Sequence, residues 1–118
     1  MKKIILIEDD FDTQILYSEC LEVENFDVHC ADHGPAALEH IREAGLPDLI
    51  VLDLNFPEGT PQDFLSQVRR QEGGEKVPVI VISGDAEIQE KTAKLGAQDC
   101  LKKPFGIDPF VEIVKKWI

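Results

Sequence analysis

The sequence predicts an α/β domain, a doubly wound parallel sheet of five strands with helices on both faces. Three observations lead there. Five short apolar runs alternate with five amphipathic segments along the chain. Two of the runs, LIVLDL and VPVIVIS, are apolar without alternation, as strands are when both their faces are covered. No internal repeat, low-complexity tract or linker breaks the pattern, and 118 residues is the size of one domain.

Taken in order, the first strand is Lys3–Ile7, which runs into three consecutive acids, Glu8, Asp9 and Asp10. At about 5 Å and an effective dielectric of about 20, each carboxylate pair repels by roughly 3 kcal/mol. Something must offset that charge. A helix over residues 11–23 follows, with Asp10 or Asp12 as an acid suited to capping its start. Phe26–Ala31 is the second strand, and the helix over 35–44 stops at Gly45. Leu49–Leu54 is the third strand. In TPQD, Thr60 takes the cap, Pro61 the first helical position and Asp63 the third, opening a helix over 61–71. Val77–Ser83 is the fourth strand, followed by a helix over 86–95 that stops at Gly96. Asp99–Lys102 is the fifth strand. The last helix, over 107–117, repeats Ile107, Phe110, Val114 and Trp117 at three- and four-residue spacing, with Asp108 and Pro109 read as its cap and first position.

Composition narrows the function. The chain is 43% hydrophobic and 30% charged, ordinary for a globular protein, and carries a net charge of −11. Phosphate backbones are bound by clustered Lys and Arg, so the charge argues against direct binding of nucleic acid or an anionic membrane. No apolar run reaches the ~20 residues of a membrane span, and the acids end the N-terminal apolar run too early for a signal peptide. Cys20, Cys30 and Cys100 form no CxxC pair and are read as reduced thiols of a cytoplasmic protein.

In open parallel sheets, ligands bind beyond the carboxyl ends of the strands. Strand one ends in Glu8, Asp9 and Asp10, strand three in Asp53 and strand four in Ser83. Strand five runs into Lys103, followed by Pro104. Each alone has an ordinary reading: a helix cap, a turn acid, a turn hydroxyl, a solvated lysine. Together on one sheet edge they set several carboxylates, a hydroxyl and an ammonium around one pocket. Clustered carboxylates suit a hard divalent cation such as Mg²⁺. A carboxylate is also a nucleophile able to form an aspartyl phosphate. Phosphoryl transfer then requires mainly positioning and charge stabilisation.

The set LIEDD, VLDLNFP, VISG and GAQDCLKKPF, in that order and spacing, resembles the receiver domain of two-component response regulators over essentially the whole chain. The resemblance implies a flavodoxin-like strand order 2-1-3-4-5, with residues 1–118 forming a single receiver domain. It implies Asp53 as phosphoacceptor, with Mg²⁺ (or Mn²⁺) held by Asp9 and Asp53 directly, by Glu8 mainly through water, and by the backbone carbonyl of Asn55. It further implies Ser83 as the switch hydroxyl and Lys103 as the family lysine, before a Lys103–Pro104 bond similar to one that is cis in the family. A histidine kinase or histidine phosphotransfer protein would donate the phosphoryl group, and a downstream effector protein or domain would read the result.

Three positions depart from the family pattern. Cys100 stands where the family has a switch aromatic, so the expected signal path is through backbone and loop shifts. Pro61 replaces a frequent glycine and stiffens the loop after Asp53. The segment between Ser83 and Gly96 is short, so the fourth helix is expected to be short or irregular, anchored by Ile88, Ala93 and Leu95. Two other functions compete. An aspartyl-nucleophile phosphohydrolase has a second aspartate two residues after the nucleophile as general acid; here that residue is Asn55, which cannot deliver a proton that way. A binding module that has lost phosphorylation would not need the intact acids, Ser83 and Lys103. A nucleotide site fails at IEDDFDTQ, which has no glycine and would repel a pyrophosphate.

Overall fold

A computed structural model describes residues 1–118. The elements run β1 (Lys3–Ile7), α1 (Phe11–Glu22), β2 (Asp27–Ala31), α2 (Gly34–Ala44), β3 (Leu49–Asp53), α3 (Pro61–Arg70), a 3₁₀ turn (Gly74–Lys76), β4 (Val79–Ser83), α4 (Ile88–Leu95), β5 (Asp99–Lys102) and α5 (Ile107–Trp117). All four strand pairings are parallel, in the order β2-β1-β3-β4-β5. The doubly wound sheet and its strand order are as expected. No helix is long and apolar enough to cross a membrane.

Period-two alternation splits each central strand between two cores, which is why these strands are apolar throughout. Ile5, Ile7, Ile50, Leu52 and Val79 face Ile41, Phe64, Leu65 and Val68 of α2 and α3. Ile4, Leu6, Leu49, Val51, Ile80 and Ile82 face Leu21, Phe110 and Val114 of α1 and α5. Fully burying one such side chain contributes about 1.5–3 kcal/mol. These twin layers hold the C-terminal ends of β1, β3 and β4 in fixed register.

Helix ends follow the expected chemistry in most places. Asp10 caps α1, accepting from the Thr13 amide, and Thr60 caps α3, accepting from the Asp63 amide with Pro61 next. Gly45 and Gly96 end α2 and α4 with positive φ, 88° and 69°. At α5 the expectation fails: Gly106 is the cap, without a side-chain bond, and Asp108 and Pro109 lie inside the first turn.

Other departures concern which faces are buried. α4 is short, eight residues, as expected, but its buried positions are Ile88 and Thr92, with Leu95 against the core; Ala93 is exposed. Ile88, Thr92 and Leu95 form the i, i+4, i+7 stripe, and Ala93 falls off it. Ile107 is exposed, while Phe110, Val114 and Trp117 pack inward. β2 begins at Asp27, β3 ends at Asp53 and β4 begins at Val79, each slightly inside the expected run. The 3₁₀ turn was not foreseen. There Gly74 lies so close to α3 that a Cβ would stand 1.8 Å from the Val68 carbonyl oxygen.

Candidate functional site

The sheet register sets the site. Asp53 is the last residue of β3 and pairs with Ile82; Ser83 ends β4 beside Lys102 of β5. Glu8 directly follows β1, and its amide donates to the Ala31 carbonyl at 3.1 Å, extending the β1–β2 ladder. Glu8, Asp53 and Ser83 are buried to 2%, 5% and 8% exposure, and buried carboxylates such as the first two are rare without partners.

Their partner is Lys103. Its Nζ donates to Asp53 Oδ2 at 2.6 Å and to Glu8 Oε2 at 3.0 Å. The Lys103 backbone amide donates to the Ser83 carbonyl at 2.8 Å, and the Lys103–Pro104 bond is cis. Phe105 then stacks on Tyr17 at 5.3 Å and on Phe110 at 5.5 Å. This aromatic cluster anchors the loop that carries the ammonium to the sheet edge.

The three consecutive acids turn out not to share one environment. Glu8 is buried against Lys103. Asp10 points to the start of α1, where its bonds with Thr13 hold its carboxyl below the usual range. Asp9 is exposed and accepts from Asn55 Nδ2 at 2.9 Å. A lysine, an amide and a helix N-terminus therefore each take one acid. The repulsion raised by the sequence is dispersed even before any cation is considered.

Titration within the pair follows from burial. Burial pushes Glu8 up to about 7, reinforced by the adjacent Asp53 and opposed by Lys103. Burial also acts to raise Asp53, but hydrogen bonds with Glu8, Lys103 and the Asn55 amide (2.8 Å to Oδ1) outweigh it and hold Asp53 below the usual carboxylate range. Lys103 would be lowered by burial, yet its two carboxylates raise it above the ordinary lysine value. Asp53 is thus the carboxyl that ionises more readily, and Glu8 the one that takes a proton first.

Ligand atoms of Glu8, Asp9 and Asp53 lie within 4.8 Å of one another. All are hard oxygens, so this acidic cluster fits a hard divalent cation in its donor set and spacing. Ser83 stands at the same edge without bonding Asp53. Its Oγ accepts from the Asp85 amide at 3.0 Å, which leaves the hydroxyl proton free to donate. Cys100 is half-buried on β5, beside the surface of α4, and its amide donates to Asp99 Oδ1.

One site-building residue had no signal in the sequence. Gln14, on α1, is buried, and its Nε2 donates to the Glu8 carbonyl at 2.5 Å and to Asp32 Oδ1 at 2.8 Å. It ties the end of β1 to the loop after β2. A glutamine in a helix reads as surface, and only the fold brings its two acceptors within reach.

Residues 4–115 match the family model described as response regulator receiver domain. The transcriptional regulatory protein CpxR homolog of Haemophilus influenzae is 32% identical over 117 residues, covering 98% of this chain and 49% of that protein. The chain thus spans about half the length of that relative. The chemotaxis response regulator CheY4 of Vibrio cholerae superimposes with a TM-score of 0.90 at 24% identity, over 100% of this chain and 99% of that one, which shows the shared fold. The receiver domain of sensor histidine kinase PA1611 from Pseudomonas aeruginosa superimposes at 0.87 with 25% identity, covering 98% and 96%. That structure has a magnesium ion coordinated in its active-site cleft.

Proposed function

The chain belongs to the response regulator receiver domain family, and from that membership we propose that Asp53 takes up a phosphoryl group with the help of Mg²⁺ (or Mn²⁺). The observation that carries the reading is the meeting, at one sheet edge, of the carboxylates of Glu8, Asp9 and Asp53 with the ammonium of Lys103. The donor is a phosphohistidine of a histidine kinase or histidine phosphotransfer protein, working in the cytoplasm. The exposed apolar residues Phe11, Ile15, Leu16 and Ile107 flank this edge and offer such a donor an apolar landing.

Each residue has a part in the transfer. Asp53, kept ionised by its neighbours, attacks phosphorus as the bond to the donor nitrogen breaks. Lys103 Nζ, already at 2.6 Å, neutralises one phosphoryl oxygen, and the Ser83 hydroxyl turns to donate to another. Glu8, Asp9, Asp53 and the Asn55 backbone carbonyl would hold the metal, Glu8 mainly through water. Bound there, the cation neutralises charge on the phosphoryl oxygens and on the acids. The modified domain then shifts between conformations that a downstream effector protein or domain distinguishes.

The hydrolase alternative is disfavoured by Asn55, whose side-chain amide donates to Asp9 and has no acidic proton to deliver to a leaving group. Turnover beyond self-phosphorylation and autodephosphorylation is not expected. Intact mass spectrometry after incubation with a small phosphodonor and Mg²⁺ tests the proposal. One added phosphoryl group, absent from Asp53→Asn, is expected; unmodified protein would instead favour a module that has lost phosphorylation. Mg²⁺ should also stabilise the fold by about 2.7 kcal/mol at a hundredfold excess over Kd, and so raise Tm. A Tm indifferent to millimolar Mg²⁺ would count against the metal site.

A further inference from the structure

Positive charge is scarce on this chain, with 12 Lys and Arg against 23 Asp and Glu. Four of the twelve border a single feature. Two hollows, of 290 and 320 Å³, run along the junction of α3 and α4 and share Gln62, Lys94 and Leu95 in their walls. Arg69, Arg70, Lys91 and Lys94 line them, and no carboxylate lines either. The hollow between α1 and α5, against the other face of the sheet, has the reverse character. Glu19, Glu24, Asp108 and Glu112 border it, with no cation. The α3–α4 hollows and the α1–α5 hollow are therefore lined by opposite charge.

Two of the four cations, Arg70 and Lys94, are open to a partner. Arg70 is exposed and has no ion-pair partner within the chain. Lys94 lies 3.5 Å from Glu90, but the two side chains are 75% and 62% exposed, and such pairs contribute little in water. Lys91 reaches Asp85 at an exposed site. Arg69 is fixed: its Nη1 donates to the Gly74 and Val77 carbonyls at 2.9 and 2.7 Å, leaving a positioned charge at one end. Leu95, half-buried, supplies an apolar floor. α3 follows the loop after Asp53 and α4 the loop after Ser83, so the groove sits between the two segments that leave the candidate site.

We propose that the groove between α3 and α4 docks an acidic, amphipathic segment of a partner protein. Its apolar side chains rest on Leu95, and its carboxylates meet Arg70 and Lys94, with Arg offering a bidentate fork. Charge makes the choice specific. An acidic segment is repelled by a chain of net charge −11 elsewhere, and a basic one is repelled here. Docking does not depend on the chemistry of Asp53, because the unmodified protein already presents the groove.

The test is an amide chemical-shift titration of the ¹⁵N-labelled protein with a synthetic helical peptide, leucine at every third or fourth position and glutamate between. Shifts confined to α3 and α4, weakening with added salt, are expected. The exposed double variant Arg70→Glu/Lys94→Glu should bind at least about tenfold more weakly. The neutral pair Arg70→Gln/Lys94→Gln should fall between. Lys115→Glu/Lys116→Glu, an equal charge change on α5, should bind as the parent does. Equal losses in both charge-reversed variants, shifts centred on α1 and α5, or tighter binding of a single-stranded oligonucleotide to this face would each overturn the proposal. Phosphodonor labelling of Asp53 in the same variants reads the site chemistry separately.

Discussion

Replacing Lys103 by methionine tests the charge balance of the site most directly. Nζ bridges Glu8 and Asp53, whose side chains are 2% and 7% exposed, while Lys103 itself is 28% exposed. Methionine keeps the length and apolar stem but removes the ammonium, leaving two adjacent buried carboxylates. Breaking a buried ion pair on one side costs about 3–5 kcal/mol. Two features reduce that: Glu8, already pushed up to about 7, takes a proton more readily, and the partial exposure of Lys103 admits water. A loss of about 2–3 kcal/mol is therefore expected. With an unfolding entropy of about 2.1 cal/mol/K per residue over 118 residues, each kcal/mol moves Tm by about 4 °C. Thermal unfolding followed by circular dichroism without divalent cations should show a fall of about 8–12 °C. Lys102→Met, on the exposed neighbour, should leave Tm unchanged. A Lys103→Met protein as stable as the parent would refute the idea that one ammonium holds the two carboxylates together.

The other predictions concern the same balance and two sites outside it. Asp53→Asn leaves one ammonium facing one buried carboxylate, so in metal-free buffer it should raise Tm by a few degrees; a clear fall would mean the Lys103–Asp53 pair outweighs the repulsion it offsets. Thr92 Oγ1 is buried without a hydrogen-bond partner, so Thr92→Val, equal in shape, should stabilise by about 1 kcal/mol in a denaturant melt, and a loss would point to an ordered water there. The His29 and His40 rings stack in parallel at 3.5 Å and 3°. Loss of water from the stacked face, and then the approach of His40, hold His29 below the ordinary histidine value, against the pull of Asp27. A depressed histidine favours the neutral form in the folded state. That contribution is present above the ordinary value of about 6.5 and is lost as pH falls through the folded value. Tm should therefore drop more steeply from neutral to mildly acidic pH in the parent than in His40→Gln; parallel profiles would exclude the stack as the cause. Lys3 and Asp27 border the same hollow and are unchanged in that comparison.

Where burial follows apolar character, the sequence could be read directly. LIVLD and VIVIS, within the two unbroken apolar runs, are β3 and β4, buried on both faces, and such runs implied a parallel sheet. The strand-end rule then led to Asp53, Ser83 and the region of Lys103, and the resemblance to the family, whose lysine directly precedes a proline, fixed on Lys103. Where polar groups are buried, or apolar ones exposed, the reading failed. On α1, Gln14 is inside while Phe11, Ile15 and Leu16 are outside, because the Glu8 carbonyl and the Asp32 carboxylate satisfy Gln14. On α4, Ile88 sets the rotation and drags Thr92 inward in place of Ala93. The turn at Gly74 depends on the position of the Val68 carbonyl, a long-range fact that local turn chemistry does not contain. Of the division of Glu8, Asp9 and Asp10 among three partners, only the helix start at Asp10 was legible; Asn55 and Lys103, which take the other two acids, lie more than forty residues away in sequence.

The same arithmetic bears on how the proposed switch is read out. Turning a two-state equilibrium from 1:99 to 99:1 requires about 5.5 kcal/mol of differential stabilisation. A buried aromatic, releasing about 150–250 Å² from water at about 25 cal/mol/Å², supplies about 4–6 kcal/mol of that from one side chain. Cys100, with one methylene and a thiol, and already half-buried, supplies no more than about 1–2 kcal/mol. The remainder must come from groups that meet the phosphoryl oxygens themselves. Lys103 is one, since it would transfer its donation from Glu8 and Asp53 to the new oxygens. Ser83 would be the other, since turning toward them would free the Asp85 amide just ahead of α4. The bias would then pass toward α4 through its N-terminal loop, and to β5 through the Ser83–Lys103 backbone bond without a side-chain switch of its own.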